Sequence, residues 1–360
     1  MKNNGYQPFK DLKVIELASV LAGPSVGMFF AELGAKVIKV ENPKTKGDVT
    51  RSWKLASEDK NHPYSAYYAS VNWGKEVRML DLGEERDRIE LLDEIKTADI
   101  LISNFRPESI KKLGLSFEQI RALNPGLIYG EILGFRGEKR LAYDVVLQAE
   151  CGYISMNGSK PGEEAKWPLA IIDLFAAHQL KEGLLLALLE REKSGKAAHV
   201  TASLFEAGLA NLSNQATNWL MAQHIPQPMG SLHPNIAPYG ETFSCKDSKQ
   251  IILAVGSNSQ FKALCNCLNV DLISDERFKD NQSRVQNREA MAELLEEPFK
   301  KYDRSDLMEK LINAAVPAGA IRNVKEVFEL EKAQEQLLTE EKEGQKLTTV
   351  SGNGFRIEVS

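Results

Sequence analysis

The sequence predicts an α/β fold built on a doubly wound parallel sheet, with a smaller α+β domain in the second half of the chain. Five short apolar runs have the length of buried strands: 13–17, 36–40, 77–82, 99–103 and 127–133. Helical patterns separate most of these runs, and strands that alternate with helices are typical of parallel sheets. The 360 residues also exceed the length that a single hydrophobic core usually serves, so two domains are expected.

The first two strands enclose a helix. Turn-forming residues at 22–24 follow the first strand, a helical pattern spans 25–33, and Gly34 ends it before the second strand. Glu41, at the end of the second strand, is the kind of residue that binds a ribose hydroxyl in nicotinamide-binding proteins. The glycines argue against such a protein, because Gly23 and Gly27 are four residues apart and form no G-x-G-x-x-G pattern.

The rest of the first half continues the alternation. A helix is predicted at 84–96, and Ser116 with Gln119 forms a capping box that begins another helix, extending to about Leu123. Ligands of a doubly wound sheet bind at the carboxyl ends of its strands. Six cations in or near the segments at those ends suit a ligand with several phosphates: Arg51, Lys75, Arg106, Lys111, Lys112 and Arg140. The alternative is that each is a solvated surface cation.

One acidic residue, Asp173, lies between an apolar run and a long helical pattern. Apolar residues recur at helical spacing from Leu174 to Leu188, and Gly195 is a good stop signal. Asp173 is therefore predicted to be the N-cap of a helix. Either its carboxylate only caps the helix, or it is ionised at the positive end of the helix dipole and attacks a carbonyl group. His178 is a poor partner, because five residues place it about 140° around the helix.

The second half of the chain has a different pattern. A helical stretch with an apolar face is predicted over 199–223, and the proline- and glycine-rich segment 226–234 marks a domain boundary. Beyond it, 241–244 and 250–255 are predicted to form an antiparallel hairpin. Helical patterns follow at 260–268, 289–301 and 306–315, and two short strands are predicted at 347–350 and 355–359.

Composition and charge exclude several classes of protein. The net charge is −5 and Lys and Arg are dispersed, so no basic stripe indicates nucleic-acid binding. No apolar stretch is long enough to span a membrane, and residues 1–8 lack the apolar core of a signal peptide. The four cysteines have no zinc-site spacing, so no metal is expected, and free thiols suit a cytoplasmic location.

Four groups of residues carry a resemblance to a known family. They are 12–17 with 20–24, 33–41 with 47–51, 104–107 with 123–125, and 233–239; 281–288 and 316–319 fit more weakly. Through them the chain resembles the class III CoA-transferases, a family that includes formyl-CoA, carnitine and dicarboxylate CoA-transferases and also α-methylacyl-CoA racemase. The groups are spread over nearly the whole chain, and they are specific only when taken together.

The resemblance implies a catalytic role for Asp173. In this family a single Asp after a small apolar run is the nucleophile, and Asp173 matches it. It would attack an acyl-CoA thioester to give an aspartyl acyl anhydride and free CoA thiolate. The thiolate would return to form an aspartyl-CoA thioester, which the acceptor carboxylate attacks. Tyr143 lies where the transferases have a tyrosine beside the acyl group.

The resemblance also implies where coenzyme A binds. It places Leu21, Ala22, Asn104, Phe105 and Lys112 at CoA-contacting positions and Lys75 near the adenine or phosphate end. Arg106 lies in the same turn as Asn104, and we expect it to contribute to phosphate binding. The implied substrates are an acyl-CoA donor and a carboxylate acceptor, with no permanently bound cofactor.

The family fold gives an expected domain organisation. A Rossmann-like, CoA-binding large domain would span 1–200 and be completed by 330–360, with a linker helix at 201–225 and a small α+β domain at 226–329. Two such chains would form an interlocked homodimer. The family's final Gly-x-His-Thr segment has no counterpart before Ser360, so the C-terminal packing is expected to differ.

Three other departures from the family pattern bear on function. Asn42 replaces an arginine, and Glu76 follows Lys75 where a second base is usual, so the contacts to the CoA phosphates are expected to differ. Residues 234–237 replace the glycine-rich loop of formyl-CoA transferase, which argues against formate or oxalate as substrate.

Two alternative functions stay open. A racemase-type isomerase needs an acid and a base on opposite faces of the α-carbon. The racemases carry a histidine where this chain has Tyr143, and a phenol, with an ordinary pKa of about 10, suits that role poorly. The other alternative is a CoA-binding homologue without catalysis, which Asn42 and Glu76 keep open.

Overall fold

The computed structural model describes residues 6–358, and within them the chain forms two compact units. The first consists of residues 6–154, 166–226 and 331–358, and the second of 155–165 and 227–330. Each unit has a hydrophobic core of its own.

A parallel sheet organises the first unit. Its strands are β1 (Lys13–Leu17), β2 (Lys36–Glu41), β3 (Glu76–Met79), β4 (Ile100–Ser103), β5 (Ile128–Leu133) and β6 (Ala198–Ser203). Within the described residues their order is β3-β2-β1-β4-β5-β6, and each neighbouring pair is parallel. The predicted doubly wound parallel sheet is confirmed, with one strand more than the sequence indicates.

The strand order creates a crevice beside β1. Strands β2 and β3 extend the sheet on one side of β1, and β4, β5 and β6 extend it on the other. In such sheets the connections leave β1 and β4 toward opposite faces, which opens a ligand crevice at their carboxyl ends.

Ten α-helices lie between residues 22 and 222 of the described chain. They are α1 (Ala22–Glu32), α2 (Ala66–Ala69), α3 (Glu85–Lys96), α4 (Pro107–Leu113), α5 (Phe117–Leu123), α6 (Asp144–Glu150), α7 (Tyr153–Met156), α8 (Ile171–Ser194), α9 (Leu204–Ala210) and α10 (Asn214–Ala222). The capping box predicted at Ser116 is present at the start of α5. Helix α1 begins earlier than predicted, so residues 22–24 form its first turn, where Pro24 is tolerated because those N–H groups lack helical partners.

The prediction of a helix over 199–223 is wrong at its start, because residues 198–203 form strand β6. The strand alternates polar His199 and Thr201 with apolar Val200, and it forms an edge of the sheet. This alternation lacks the continuous apolar run by which the other strands are recognised. Helices α9 and α10 account for the remaining part of the predicted stretch.

Helix α8 packs closely against β5 and β6, and two glycines allow the approach. A Cβ at Gly183 of α8 would lie 2.5 Å from Val200 Cγ1 of β6, and a Cβ at Gly130 of β5 would lie 3.1 Å from Leu184 Cδ2 of α8. The long helix is therefore fixed against the sheet along its middle, which in turn fixes the position of its N-terminus.

The second unit is an antiparallel sheet with helices. Its strands are β7 (Tyr239–Ser244), β8 (Gln250–Ala254) and β9 (Ala318–Ala320), in the order β7-β8-β9. Its helices are α11 (Asn258–Leu268), α12 (Asn281–Gln286), α13 (Arg288–Phe299), α14 (Arg304–Asn313) and α15 (Val324–Phe328). The predicted hairpin and the three predicted helices are present, and β9, which was not predicted, completes the sheet.

The tail returns to the first unit. It contains α16 (Glu331–Gln334) and an antiparallel hairpin of β10 (Leu337–Lys342) and β11 (Gln345–Val350). The predicted strand at 347–350 is present in β11. The prediction of a strand at 355–359 is wrong for residues 355–358, which have no regular structure. Residue 359 lies outside the described residues. None of the helices in residues 6–358 combines the length and the apolar composition that crossing a bilayer requires.

Candidate active site

Two loops meet at the carboxyl edge of the parallel sheet. Residues 18–21 follow β1, and residues 104–106 follow β4, its neighbour. The side chain of Asn104 joins the loops by hydrogen bonds to both the N–H and the carbonyl of Ser19. Predicted CoA contacts on both loops, among them Leu21 and Phe105, therefore lie in the crevice where a doubly wound sheet binds its ligands.

The loop after β1 is held in an unusual backbone conformation. Val20 has a φ of 72°, a left-handed value that β-branched residues rarely adopt. Asp48 Oδ2 accepts the Val20 N–H at 3.3 Å, and Lys39 Nζ donates to the Ala18 carbonyl at 2.6 Å. Leu21 is then the N-cap of α1, so the positive end of this helix begins at the same edge.

A cluster of four buried charged side chains, those of Glu16, Lys39, Asp48 and Lys75, lies next to this loop. Lys39 Nζ lies 2.9 Å from Glu16 Oε1 and 3.0 Å from Asp48 Oδ2, and Lys75 Nζ lies 2.8 Å from Glu16 Oε2. Burial alone would raise the pKa of Asp48, but the neighbouring ammonium of Lys39 holds that pKa below its usual value. Asp48 is thus favoured as an ion beside Lys39, and both side chains hydrogen-bond to the backbone of the loop.

Lys75, predicted to contact the adenine or phosphate end of CoA, belongs to this cluster. Its ammonium also donates to the Pro24 carbonyl at 2.8 Å and to Asn72 Oδ1 at 3.0 Å. Burial lowers the pKa of Lys75 to about 7, although Glu16 opposes the shift. The Lys75 side chain is therefore held by two hydrogen bonds and an ion pair, and in this structure it braces the first turn of α1.

Two other predicted phosphate-binding cations are also paired. Arg51 Nε lies 2.7 Å from Glu41 Oε2, and the guanidinium lies 4.2 Å from the centre of the Tyr68 ring. Arg140 pairs on the surface with Glu138 and Glu150.

The predicted contacts on α4 are more accessible. Arg106 is the exposed N-cap of this helix, and Lys112 is exposed in its last turn. Neither forms an ion pair within the described residues, so both can meet an anion. Phe105, between Asn104 and Arg106, is half-buried and packs against the core of the sheet.

Asp173 is not the N-cap that the sequence predicts. Helix α8 begins at Ile171 with Ala170 as N-cap, so Asp173 is the third residue of the first turn. Its side chain is buried, with 9% of its surface exposed, and its carboxylate accepts no hydrogen bond from residues 6–358. His178, five residues later, is exposed, whereas Asp173 is buried.

The cap of α8 comes from another helix. Asp144, the first residue of α6, accepts the N–H of Ile172 at 2.8 Å and the N–H of Asp173 at 3.4 Å, both through Oδ1. Its other oxygen accepts from Gln148 Nε2 at 2.6 Å. Neither Asp144 nor Gln148 is predicted from the sequence as a site residue. The only local indication in the sequence is that these two residues lie four positions apart at the start of a helix, where their side chains can meet.

The electrostatic surroundings of Asp173 make it unusually basic. Burial raises the pKa of its carboxyl group from 3.8 to about 7, and the negative charge of Asp144 adds to the rise. A carboxylate that accepts no hydrogen bonds and lies near another negative charge is poorly stabilised as an anion. Its ionised form is therefore more basic than that of an ordinary surface Asp.

Tyr67 is a further site residue that the sequence analysis did not identify. Burial raises the pKa of this phenol to about 12, with further contributions from the charges of Asp173, Asp144 and Asp48. The ring packs edge-on against Trp53, with 5.1 Å between ring centres. The Tyr67 phenol therefore lies within electrostatic range of these three carboxylates. No sequence motif marks this residue.

Tyr143 lies directly before the capping carboxylate. It is the N-cap of α6, and 58% of its surface is exposed. Its side chain is therefore accessible, and its place beside an acyl group stays a prediction.

Known proteins resemble this chain over almost its full length. The profile of CoA-transferase family III matches residues 9–360. A succinate–glutarate CoA-transferase of Agrobacterium fabrum is 35% identical over 97% of this chain and 88% of that protein. The human succinyl-CoA:glutarate CoA-transferase is 31% identical over 90% of this chain and 74% of that protein.

Solved structures agree with the sequence comparisons. A CAIB/BAIF family protein from Brucella suis has a TM-score of 0.85 at 36% identity and covers 97% of this chain and 92% of its own. Rv3272 from Mycobacterium tuberculosis has a TM-score of 0.82 at 25% identity over 98% of this chain and 93% of its own. The resemblance seen in the motifs thus extends to the whole sequence and the whole fold, and the chain belongs to CoA-transferase family III.

Proposed function

We propose that the protein transfers CoA from an acyl-CoA thioester to a carboxylic acid, with Asp173 as the covalent nucleophile. The observation that carries this proposal is the state of the Asp173 carboxyl group. It is buried, it accepts no hydrogen bond from the described residues, and its pKa is raised to about 7. A structural cap would instead be hydrogen-bonded to the helix, and in this protein Asp144 has that role.

The proposed reaction proceeds through covalent intermediates on Asp173. An Asp173 oxygen attacks the thioester carbon, the C–S bond breaks, and the electron pair leaves with sulfur as CoA thiolate. The thiolate then attacks the aspartyl carbonyl of the anhydride, which releases the donor carboxylate and leaves an aspartyl-CoA thioester. The acceptor carboxylate attacks the aspartyl-CoA thioester, which forms a second anhydride and releases the CoA thiolate. The thiolate then attacks the acceptor carbonyl of that anhydride, which gives the acceptor-CoA thioester and frees the Asp173 carboxylate. Covalent catalysis of this kind divides one difficult exchange into easier steps.

Coenzyme A is proposed to bind in the crevice at the carboxyl ends of β1 and β4. The loop after β1 and the N-terminus of α1, at Leu21 and Ala22, would meet the ligand through backbone groups. Asn104 would hold the two loops together, and Arg106 and Lys112 would meet phosphate charge. Lys75 would act indirectly, through its contact with the Pro24 carbonyl.

A dicarboxylate is proposed as the acceptor. Relatives are named as CoA-transferases of glutarate in Agrobacterium fabrum and human, and of mesaconate in Haloarcula hispanica. A panel of mono- and dicarboxylates, offered with succinyl-CoA and with acetyl-CoA, would identify the acceptor from the masses of the thioester products. Transfer to monocarboxylates alone would contradict this assignment.

A homodimer is also proposed, as the family resemblance implies. Helix α10 buries none of its side chains within the described part of the chain, and Leu220 and Met221 are 70% and 86% exposed. Exposed apolar groups of this kind mark interaction surfaces. Light scattering at low micromolar concentration should give twice the mass of the chain, and the mass of a single chain would refute the dimer.

The nucleophile can be trapped chemically. Incubation with acyl-CoA and hydroxylamine, without acceptor, should convert Asp173 to a hydroxamate that peptide mass spectrometry detects. Label on a different residue, or none, would refute the assignment. Exchange of the α-proton of a branched acyl-CoA with deuterated solvent, without acyl transfer, would indicate the racemase-type reaction instead.

A further inference from the structure

The carboxylate of Asp144 is bound in a way that fixes its position beside Asp173. Oδ1 accepts the N–H groups of Ile172 and Asp173, at 2.8 and 3.4 Å. Oδ2 accepts from Gln148 Nε2, one turn further along α6, at 2.6 Å. Both oxygens are thus held, and the negative charge cannot rotate away from the first turn of α8.

Gln148 is itself fully buried, and its amide is oriented by the chain that leads into α8. Its Nε2 also donates to the Leu169 carbonyl at 3.1 Å, and its Oε1 accepts the Trp167 N–H at 2.8 Å. Because one end of the amide must accept and the other must donate, it has one orientation, and that orientation presents a donor to Asp144. The position of the carboxylate is therefore built by several specific contacts.

This arrangement has an electrostatic consequence for the nucleophile. Free N–H groups in the first turn of a helix would stabilise an ionised Asp173, since they carry the positive end of the helix dipole. Asp144 uses two of those N–H groups and adds a negative charge of its own. The ionised form of Asp173 is consequently destabilised where an ordinary helix terminus would stabilise it.

The repulsion disappears when Asp173 is acylated. In that step the Asp173 oxygen forms a bond to the acyl carbon, the C–S bond breaks, and the negative charge leaves the carboxylate with the CoA sulfur. A fixed negative charge beside Asp173 therefore raises the energy of the free ionised enzyme but not that of the neutral aspartyl anhydride or aspartyl thioester.

From this geometry we propose that Asp144 is a positioning residue that favours acylation of Asp173, by orienting the first turn of α8 and by placing a like charge that acylation relieves. The inference rests on the proposed role of Asp173 as nucleophile. It assigns a function to a residue that does not itself react.

The other charged groups around α8 do not have this role. Tyr67 lies within electrostatic range of Asp173, but its pKa of about 12 keeps the phenol neutral. Within the described chain, acidic groups on other elements that pack against α8 have partners away from Asp173: Glu32 of α1 with Ser351 and Gly352, Glu131 of β5 with His199 of β6, Glu206 of α9 with Arg136, and Glu150 of α6 with Arg140.

The test is the pH dependence of Asp144→Asn, with Glu150→Gln as control. Asn keeps an oxygen that can cap α8 but removes the charge. The control removes one carboxylate from the same helix, at an exposed site. In Asp144→Asn the acid limb of kcat/KM for acyl-CoA should move down by about one pH unit. Its activity above about pH 8 should fall about tenfold, and this deficit should disappear below about pH 6, where wild-type Asp173 is protonated.

A purely structural defect would have a different signature. It would lower kcat/KM by the same factor at every pH and leave the acid limb in place, and that result would overturn the proposal. Asp144→Ser, which also keeps a capping oxygen without charge, provides the same test if the Asn variant folds poorly. Glu150→Gln should match the wild type in both respects.

A second readout separates this inference from the proposed function. Without acceptor, Asp144→Asn should accumulate about tenfold less Asp173 hydroxamate than the wild type at about pH 8. Equal hydroxamate in both proteins would refute the role of Asp144 but leave Asp173 as nucleophile. No hydroxamate in the wild type would refute the nucleophile, and the inference with it.

Discussion

The side-chain amide of Asn104 forms a two-point pair with the backbone of Ser19. Its Oδ1 accepts the Ser19 N–H at 3.1 Å, and its Nδ2 donates to the Ser19 carbonyl at 2.8 Å. The contact spans 85 residues of sequence and joins the carboxyl ends of two neighbouring strands. One amide therefore links the two loops of the proposed CoA crevice.

We expect Asn104→Asp to weaken CoA binding about tenfold and to lower the free energy of unfolding by about 1–3 kcal/mol. The new carboxylate would lose the donor to Ser19, face its carbonyl, and repel the CoA phosphates. Isothermal titration with CoA and urea unfolding would measure the two effects.

Asn124→Asp is the matched control. Asn124 Nδ2 also donates to backbone carbonyls, those of Ile95 and Ala98 at 2.9 and 2.8 Å, but near the amino end of β4. This variant should lose similar stability and keep its CoA affinity. If both variants bind CoA equally well, Asn104 does not belong to the site.

The exposed ammonium of Lys112 tests the phosphate end of the site. Charge reversal in Lys112→Glu should weaken CoA binding severalfold. The loss should be larger at low salt, because salt screens exposed charges over about 10 Å at 0.1 M. The control is Lys111→Glu, which changes the adjacent residue on α4, directed toward the cavity lined by Glu131 and His199. Unchanged affinity of Lys112→Glu at low salt would remove Lys112 from the site.

Apolar runs were sufficient to predict most of the parallel sheet, because its inner strands are buried on both faces. Strand β6 was missed for the opposite reason. It is an edge strand with His199 and Thr201 between apolar residues, so its sequence also fits a helix.

The site was less predictable than the fold, because its contacts join distant parts of the sequence. Asp173 has the local pattern of an N-cap, but the capping carboxylate belongs to Asp144, 29 residues earlier. Lys75 is predicted to bind phosphate, but in the structure it is buried and paired with Glu16. The sequence does not reveal this pairing, because the two residues are far apart in the chain. Arg106, Lys111 and Lys112 are exposed cations at or on α4, and phosphate binding by them stays a prediction.

The buried charge cluster should be essential for folding. We expect Lys39→Met to lower the free energy of unfolding by about 3–5 kcal/mol, because it leaves Glu16 and Asp48 buried with one countercharge fewer. Lys36→Met on the same strand is the control. Lys36 pairs with Glu76 at 3.5 Å on the surface, and its loss should change stability by about 0–1 kcal/mol. Equal urea midpoints for the two variants would contradict the structural role of Lys39.

The raised pKa of Asp173 predicts that replacing its carboxyl group with a neutral amide stabilises the protein. The pKa is about 7 in the folded state and 3.8 when unperturbed, so between these values the folded protein holds a proton that the unfolded chain has lost. The unfolding free energy therefore falls as the pH rises through this range, and the loss is complete above about pH 7. A difference of about three pKa units corresponds to about 4 kcal/mol.

In Asp173→Asn the side chain cannot ionise, so the unfolding free energy of this variant does not fall in this way as the pH rises. At about pH 8 the variant should be more stable than the wild type by up to about 4 kcal/mol, and at about pH 5 by less than half of that. Urea unfolding at both pH values measures the difference, while turnover should fall by orders of magnitude. Glu150→Gln, which removes an exposed carboxylate, should show no such gain. If Asp173→Asn is no more stable than the wild type at about pH 8, or if its advantage is the same at both pH values, then Asp173 is not the destabilised carboxylate that this structure describes.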